Sequence, residues 1–177
     1  GNFYRGRGIE LLIDAAKELE DVLFLIVGGE ENDIMRYKRL VEEKRVRNFI
    51  FKGFVPPAFV SLYLFSADIL IMPYTSKMSC KEGRVEADFA SPLKLFEYMA
   101  TGRPIIATRI PAFLGVLEDR KNSILVNPDS VDSLISGIKT ALSDEKLCRG
   151  ISTNAALDAR KYTWEERVKR ILEGIQV

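Results

Sequence analysis

Short apolar runs that stop at glycine or proline alternate along this chain with longer stretches of helical periodicity, and that alternation leaves few architectures open. Val22-Leu23-Phe24-Leu25-Ile26-Val27 is apolar at every position, as a central parallel strand buried on both faces is, and it stops at Gly28-Gly29. Phe49-Ile50-Phe51 runs into Gly53-Phe54-Val55-Pro56-Pro57, Ile69 to Met72 is closed by Pro73, and Ile105 to Ala107 and Ile124 to Val126 follow. Between them, Ile9, Leu12, Ile13, Ala16 and Leu19 recur at helical spacing, Glu30 to Arg47 reads as a charged surface helix, Ala58 to Ala67 as a helix, and Pro111 to Leu117 as a short one. Strands alternating with helices imply right-handed crossovers and a parallel sheet covered on both faces. The predicted fold class is therefore α/β, a Rossmann-like three-layer arrangement.

The tail is helical. Val131, Leu134, Ile135, Ile138, Ala141 and Leu142 form one apolar stripe. Trp164, Val168, Ile171, Leu172 and Ile175 form another, opened by a Thr163/Glu166 capping box.

One helix carries its start and stop in full. Ser91 is a good cap, Pro92 suits the first helical position, Gly102 suits the left-handed residue that ends a helix, and Pro104 prevents continuation. Leu93, Phe96 and Ala100 are expected to face a core, with Lys94, Glu97 and Tyr98 together on another face. Bare N–H groups at a helix start beside a lysine suit an anion, phosphate above all, and a carboxylate one turn deeper can accept hydrogen bonds from hydroxyls such as those of a ribose. Taken alone, the pattern fits an ordinary buried helix equally well.

In open parallel sheets ligands bind beyond the carboxyl ends of the strands. Gly28-Gly29, Gly53, the long polar segment from Tyr74 to Ala90, the Ser91 helix start and the basic loop Gly1-Asn2-Phe3-Tyr4-Arg5-Gly6-Arg7-Gly8 all fall on that edge. The opening loop lacks the third glycine of a dinucleotide fingerprint. Tyr74 reads as core packing, or as a contact to a sugar or base.

Composition excludes several classes. A net charge of +1 argues against a nucleic-acid partner. The basic cluster between Arg36 and Arg47 is interleaved with Glu42 and Glu43, as on a solvated face. Cys80 and Cys148 have no metal-ligand spacing and form no framework, which fits a reducing compartment. With no histidine in the chain, chemistry that needs a histidine base or a histidine-bound metal must draw it from elsewhere.

Taken together, Arg5-Gly6-Arg7-Gly8 with Ile9 to Ile13, Leu25 to Gly29, Phe51-Lys52-Gly53-Phe54-Val55, Ala67 to Pro73, Ser91 to Pro104 and Tyr162-Thr163-Trp164 resemble the C-terminal, donor-binding domain of GT-B-fold retaining glycosyltransferases, the group 1 enzymes of family 4. The resemblance covers nearly the whole chain. It implies that residues 1–177 are one nucleotide-sugar-binding domain, that its first strand precedes Gly1, and that an N-terminal acceptor-binding domain lies outside this sequence. The implied activity is transfer of a hexose from a UDP- or GDP-linked sugar to a glycan or lipid-linked acceptor, without a metal or other cofactor. The expected location is cytoplasmic, with peripheral membrane contact through the missing half, and the final helix is expected to cross back to that half or else to pack here.

In that family an arginine and a lysine of the opening loop grip the donor diphosphate; Arg7 stands at the lysine position and Asn2 where the arginine is common. Glu97 matches the second signature glutamate, on the ribose, while the first falls on Phe89, so that either Asp88 or Glu86 substitutes for it or Lys94 with backbone groups suffices. The resemblance thus assigns catalysis to Arg7, Lys94 and Glu97. It assigns donor binding to Asn2, Gly28, Gly53, Phe54, Val55, Asp88, Ser91, Pro92 and Leu93, with no metal ligand. A non-catalytic nucleotide-binding module, or another GT-B enzyme such as a sugar-nucleotide epimerase, is the alternative.

Overall fold

The computed structural model describes residue 3 and residues 6–77 and 93–175. The elements are α1 (Ile9–Glu18), β1 (Phe24–Val27), α2 (Glu31–Glu43), β2 (Phe49–Gly53), α3 (Pro57–Ser66), β3 (Leu70–Met72), α4 (Leu93–Ala100), β4 (Ile105–Thr108), α5 (Pro111–Leu114), β5 (Ile124–Val126), α6 (Val131–Ser143), α7 (Glu145–Ala159) and α8 (Trp164–Ile175), with a 3₁₀ turn at Arg160–Tyr162. The strands pair in parallel, as expected, in two groups: β1 with β2, and β3 with β4 with β5. No pairing joins β1 to β3 among the described residues.

Helices cover both sides, and the side-chain alternation of β4 shows it. Ile106 packs into one core with Phe24, Phe49, Ile124 and residues of α1 and α6. Ile105 and Ala107 point the other way, into a second core with Met72, Leu125, Leu95 and Met99 of α4, and Phe113. A strand that feeds two cores is apolar at every position. The chain places that role on β4 and β5, not on the run beginning at Val22.

That run is corrected in two respects. The Asn48 side-chain amide donates to the carbonyl oxygens of Ala16, Leu19 and Val22 at 3.0, 2.7 and 2.8 Å. These bonds tie the end of α1 to the turn at residues 19–22, so the strand starts at Phe24 and Leu23 is exposed. Leu25, in register with Ile50, is 40% exposed, so one face of β1 and β2 carries uncovered apolar side chains.

Helix α4 is also rotated from its expected setting. Its buried side chains are Leu95 and Met99, Phe96 is half-buried, and Leu93 is 69% exposed. The i, i+4 pair Leu95/Met99 meets the second core, which turns Leu93 and Ala100 to solvent. The stop is as read: Gly102 has φ of 66° and its N–H donates to the Met99 carbonyl at 3.3 Å.

In the tail, Leu134, Ile138 and Ala141 are buried but Leu142 is exposed. The Glu166 N–H donates to Thr163 Oγ1 at 3.2 Å, one half of the expected capping box. Trp164, 70% exposed, and Val168, Ile171 and Leu172 show that this stripe does not pack wholly on the described part of the chain. The helix α3 is apolar all round, and none of its residues is buried. No helix among the described residues is long and apolar enough to cross a membrane.

Two glycines with positive φ separate backbone strain from steric contact. At Gly102 an added Cβ meets nothing within 4 Å, whereas at Gly8, φ 73°, it would lie 1.7 Å from the Pro73 carbonyl oxygen. Gly102→Ala is expected to cost only the left-handed conformation, about 1–2 kcal/mol. Gly8→Ala adds a backbone clash and should cost about 3 kcal/mol or more. Thermal unfolding reads the difference at roughly 2–4 °C per kcal/mol for a chain of this size. Equal midpoints for the two variants would mean that the approach of residue 8 to Pro73 is not fixed.

Candidate functional site

The carboxyl ends of the strands are tied to one another by short polar contacts. After β1 and β2, the Gly28 N–H donates to the Gly53 carbonyl at 2.7 Å. After β3 and β5, the Ser76 N–H donates to the Asp129 carboxylate at 3.2 Å. Parallel strands end together at one edge, so these turns gather there whatever their separation in sequence.

The opening loop is anchored on this edge at both of its described ends. Phe3 is buried against the rings of Tyr37 and Phe51, with centroids 5.8 and 6.2 Å away, and fills the space that a Cβ on Gly29 would take. At the other end Gly8 lies against Pro73, and the Thr75 N–H donates to the Gly6 carbonyl at 3.0 Å. Phe3 gives no sequence signal beyond being an aromatic residue in a glycine-rich loop; its anchoring is a tertiary fact.

Between those anchors Arg7 places its guanidinium carbon 4.5 Å from the centroid of the Tyr74 ring. Lys94, in the first turn of α4, is close enough to feel that charge. Burial first, and the Arg7 charge second, hold the Lys94 ammonium below the usual lysine range, while Glu97 pulls it back up. Neither Arg7 nor Lys94 forms an ion pair with a described residue. Two cations, one poorly hydrated, are therefore held side by side, and an anion between them would relieve both desolvation and repulsion.

Glu97 is exposed one turn along α4 from Lys94. Tyr98 is pushed up to about 12 by burial, with Tyr74 and Glu97 adding to it. Tyr74 itself is raised by burial, against the opposing charge of Arg7.

The expected residues thus fall into groups. Arg7, Lys94 and Glu97 come together around Tyr74 and Tyr98. Gly28, Gly53 and Val55 come together at the ends of β1 and β2, with Val55 buried and Phe54 77% exposed. Leu93 is at the start of α4 and faces solvent rather than the core. Asn2, Asp88, Ser91 and Pro92 lie outside the described residues, as do Glu86 and Phe89. Tyr74 is core packing, the first of its two readings, and it also touches Arg7, which its position after Pro73 does not announce.

Among the described residues no group of acidic residues and cysteines could hold a metal ion. An open groove of about 920 Å³ runs along the opposite edge, lined by Asp68, Arg103, Leu142, Arg149, Leu157 and Arg160, and contains none of the expected residues.

Known proteins share this fold. A D-inositol 3-phosphate glycosyltransferase of Corynebacterium urealyticum is 26% identical over 98% of this chain and 41% of its own length. A sucrose-phosphate synthase of Thermosynechococcus elongatus superposes with a TM-score of 0.81 at 21% identity, over 99% of this chain and 44% of that one. The Anabaena protein Alr3699/HepE, in complex with UDP-glucose, does so with a TM-score of 0.82 at 18% identity, over 99% and 46%. The chain spans about two fifths of the length of the curated relatives that it matches over most of its own length, 41% and 42% for two of them. Residues 1–144 match the glycosyl transferases group 1 family, and the chain belongs to that family as a C-terminal domain of the GT-B fold.

Proposed function

We propose that this chain is the donor-binding half of a retaining glycosyltransferase that moves a hexose from a UDP- or GDP-linked sugar to a glycan or lipid-linked acceptor. The observation that carries the reading is the pair Arg7 and Lys94, like charges held together at the ligand edge with the carboxylate of Glu97 one turn away. Arg7 and Lys94 take the diphosphate and offset the charge that grows on it as the glycosidic bond breaks, so no metal is required. Glu97 accepts from the ribose hydroxyls. Gly28, Gly53, Phe54 and Val55 receive the base, with Asn2, Asp88, Ser91, Pro92 and Leu93 completing the donor pocket. The Anabaena relative holds UDP-glucose on the same fold, which supports a nucleotide sugar as ligand.

The acceptor site belongs to an N-terminal domain beyond this sequence, in keeping with the share of its relatives that the chain covers. The exposed stripe of α8 fits a surface that meets that domain. The complete enzyme is cytoplasmic, with peripheral contact to a membrane through the other half. Residues 1–177 alone bind donor and transfer no sugar.

Calorimetry and thermal shift with UDP, GDP, ADP and NAD test the reading. UDP or GDP should raise the midpoint, with or without a chelator, and NAD should not; a ligand at about 100 times its dissociation constant adds about 2.7 kcal/mol. Glu97→Gln and Lys94→Ala should each weaken the nucleoside diphosphate by about 1.5–3 kcal/mol, the worth of a hydrogen bond to a charged group. A shift by NAD alone, or unchanged affinity in both variants, would overturn it.

A pH dependence follows from Lys94. Its folded-state pKa is depressed, so the cost of keeping it charged in the fold is present at low pH and is relieved as pH rises through that pKa. Diphosphate binding favours the charged form. Affinity for UDP should therefore fall as pH rises through the depressed lysine pKa, with proton uptake on binding in that window. Arg7→Ala removes the like charge and should move the fall to higher pH. Titration in buffers of different ionisation enthalpy measures both effects; a pH-independent proton count of zero would exclude Lys94 as the titrating group.

A further inference from the structure

Tyr74 is 4% exposed and packs on Phe113 at 5.3 Å between centroids, within the second core. One face of its ring carries the Arg7 guanidinium, 4.5 Å from the centroid. The residues on either side of it hold the residues on either side of Arg7. Pro73 meets Gly8 so closely that no side chain fits there, and Thr75 binds the Gly6 carbonyl through its N–H at 3.0 Å and its hydroxyl at 3.4 Å. The two segments are matched residue for residue, backbone on backbone at the flanks and ring under cation at the centre.

Arg7 needs such a support. It forms no ion pair with a described residue, and it is held beside the like charge of Lys94, which pushes it toward water. An aromatic face offsets that repulsion without neutralising the cation, because the attraction comes from the ring quadrupole and leaves the guanidinium N–H groups free to donate. A carboxylate at this place would hold Arg7 more firmly, but it would compete with the diphosphate for the same donors. The Tyr74 hydroxyl is buried with no hydrogen-bond partner of good geometry among the described residues, and the cation lies over the ring, so Tyr74→Phe separates the contribution of the ring from that of the hydroxyl.

We propose that Tyr74 is a positioning residue for donor binding, whose ring holds the Arg7 guanidinium in place for the diphosphate; this rests on the reading of Arg7 as a diphosphate ligand. Tyr74 touches the ligand only through Arg7. Its loss weakens nucleoside diphosphates and leaves nucleosides alone.

Calorimetry on the 177-residue chain with UDP and with uridine tests it. Tyr74→Leu should lower UDP affinity by roughly threefold to thirtyfold, the range of cation–π pairs from exposed to desolvated, with uridine unchanged. Tyr74→Phe should bind UDP as the parent chain does and be no less stable. Arg7→Ala/Tyr74→Leu should bind no worse than Arg7→Ala. Because Tyr74→Leu removes a core ring and could fail to fold, a second series keeps the shape. Tyr74→4-fluorophenylalanine, 3,5-difluorophenylalanine and pentafluorophenylalanine should lose UDP affinity in that order as the ring face loses its negative potential. If Arg7→Ala leaves UDP affinity unchanged, the diphosphate reading fails and this role with it. If Arg7→Ala weakens UDP but Tyr74→Leu or the fluorinated series does not, or if the loss persists in the Arg7→Ala background, the positioning role alone is overturned.

Discussion

The approach of Gly8 to the Pro73 carbonyl oxygen, so close that a Cβ would stand 1.7 Å from it, is the constraint on which the site depends. It joins the start of α1, which packs in the first core, to the end of β3, whose Met72 is buried in the second. With Gly8 fixed, α1 enters the first core through Ile9, Leu12 and Ile13, and packing against α6 sets its direction. Phe3 fixes the other end of the loop beside Gly29. Arg7 is left between two anchors with little freedom, and little conformational entropy remains for a ligand to remove.

The electrostatics follow from that geometry. A flexible arginine beside Lys94 would move away and leave burial alone to depress the lysine. Held by the loop and the Tyr74 ring, it stays and adds to the burial that depresses Lys94. Repulsion between fixed cations is unfavourable in the empty site and is removed by an anion, so the same feature that weakens the free chain strengthens binding. Because Glu97 is exposed, its attraction for Lys94 only partly offsets the repulsion.

The uncovered apolar side chains include Leu25 and Ile50 of one strand pair, residues along α3 and the stripe of α8 from Trp164 to Leu172, besides single residues such as Met35, Leu114, Leu142 and Leu157. By contrast β4 and β5 are covered on both faces.

The sequence by itself determined the class of fold, because apolar runs of strand length separated by amphipathic helices have few ways to bury both kinds of surface. It also determined the helix stop at Gly102 and the cap at Thr163, since these depend on local backbone chemistry. Tertiary structure decided what periodicity could not. Leu93 and Leu95 are equally apolar, and only the position of the second core makes Leu95 the buried one. Val22 and Leu23 read as strand until Asn48, distant in sequence, binds the carbonyls of the turn that ends at Val22. Tyr74 and Arg7 stand far apart along the chain, and their contact exists because parallel strands bring their carboxyl ends to one edge, a long-range fact that local pattern does not carry.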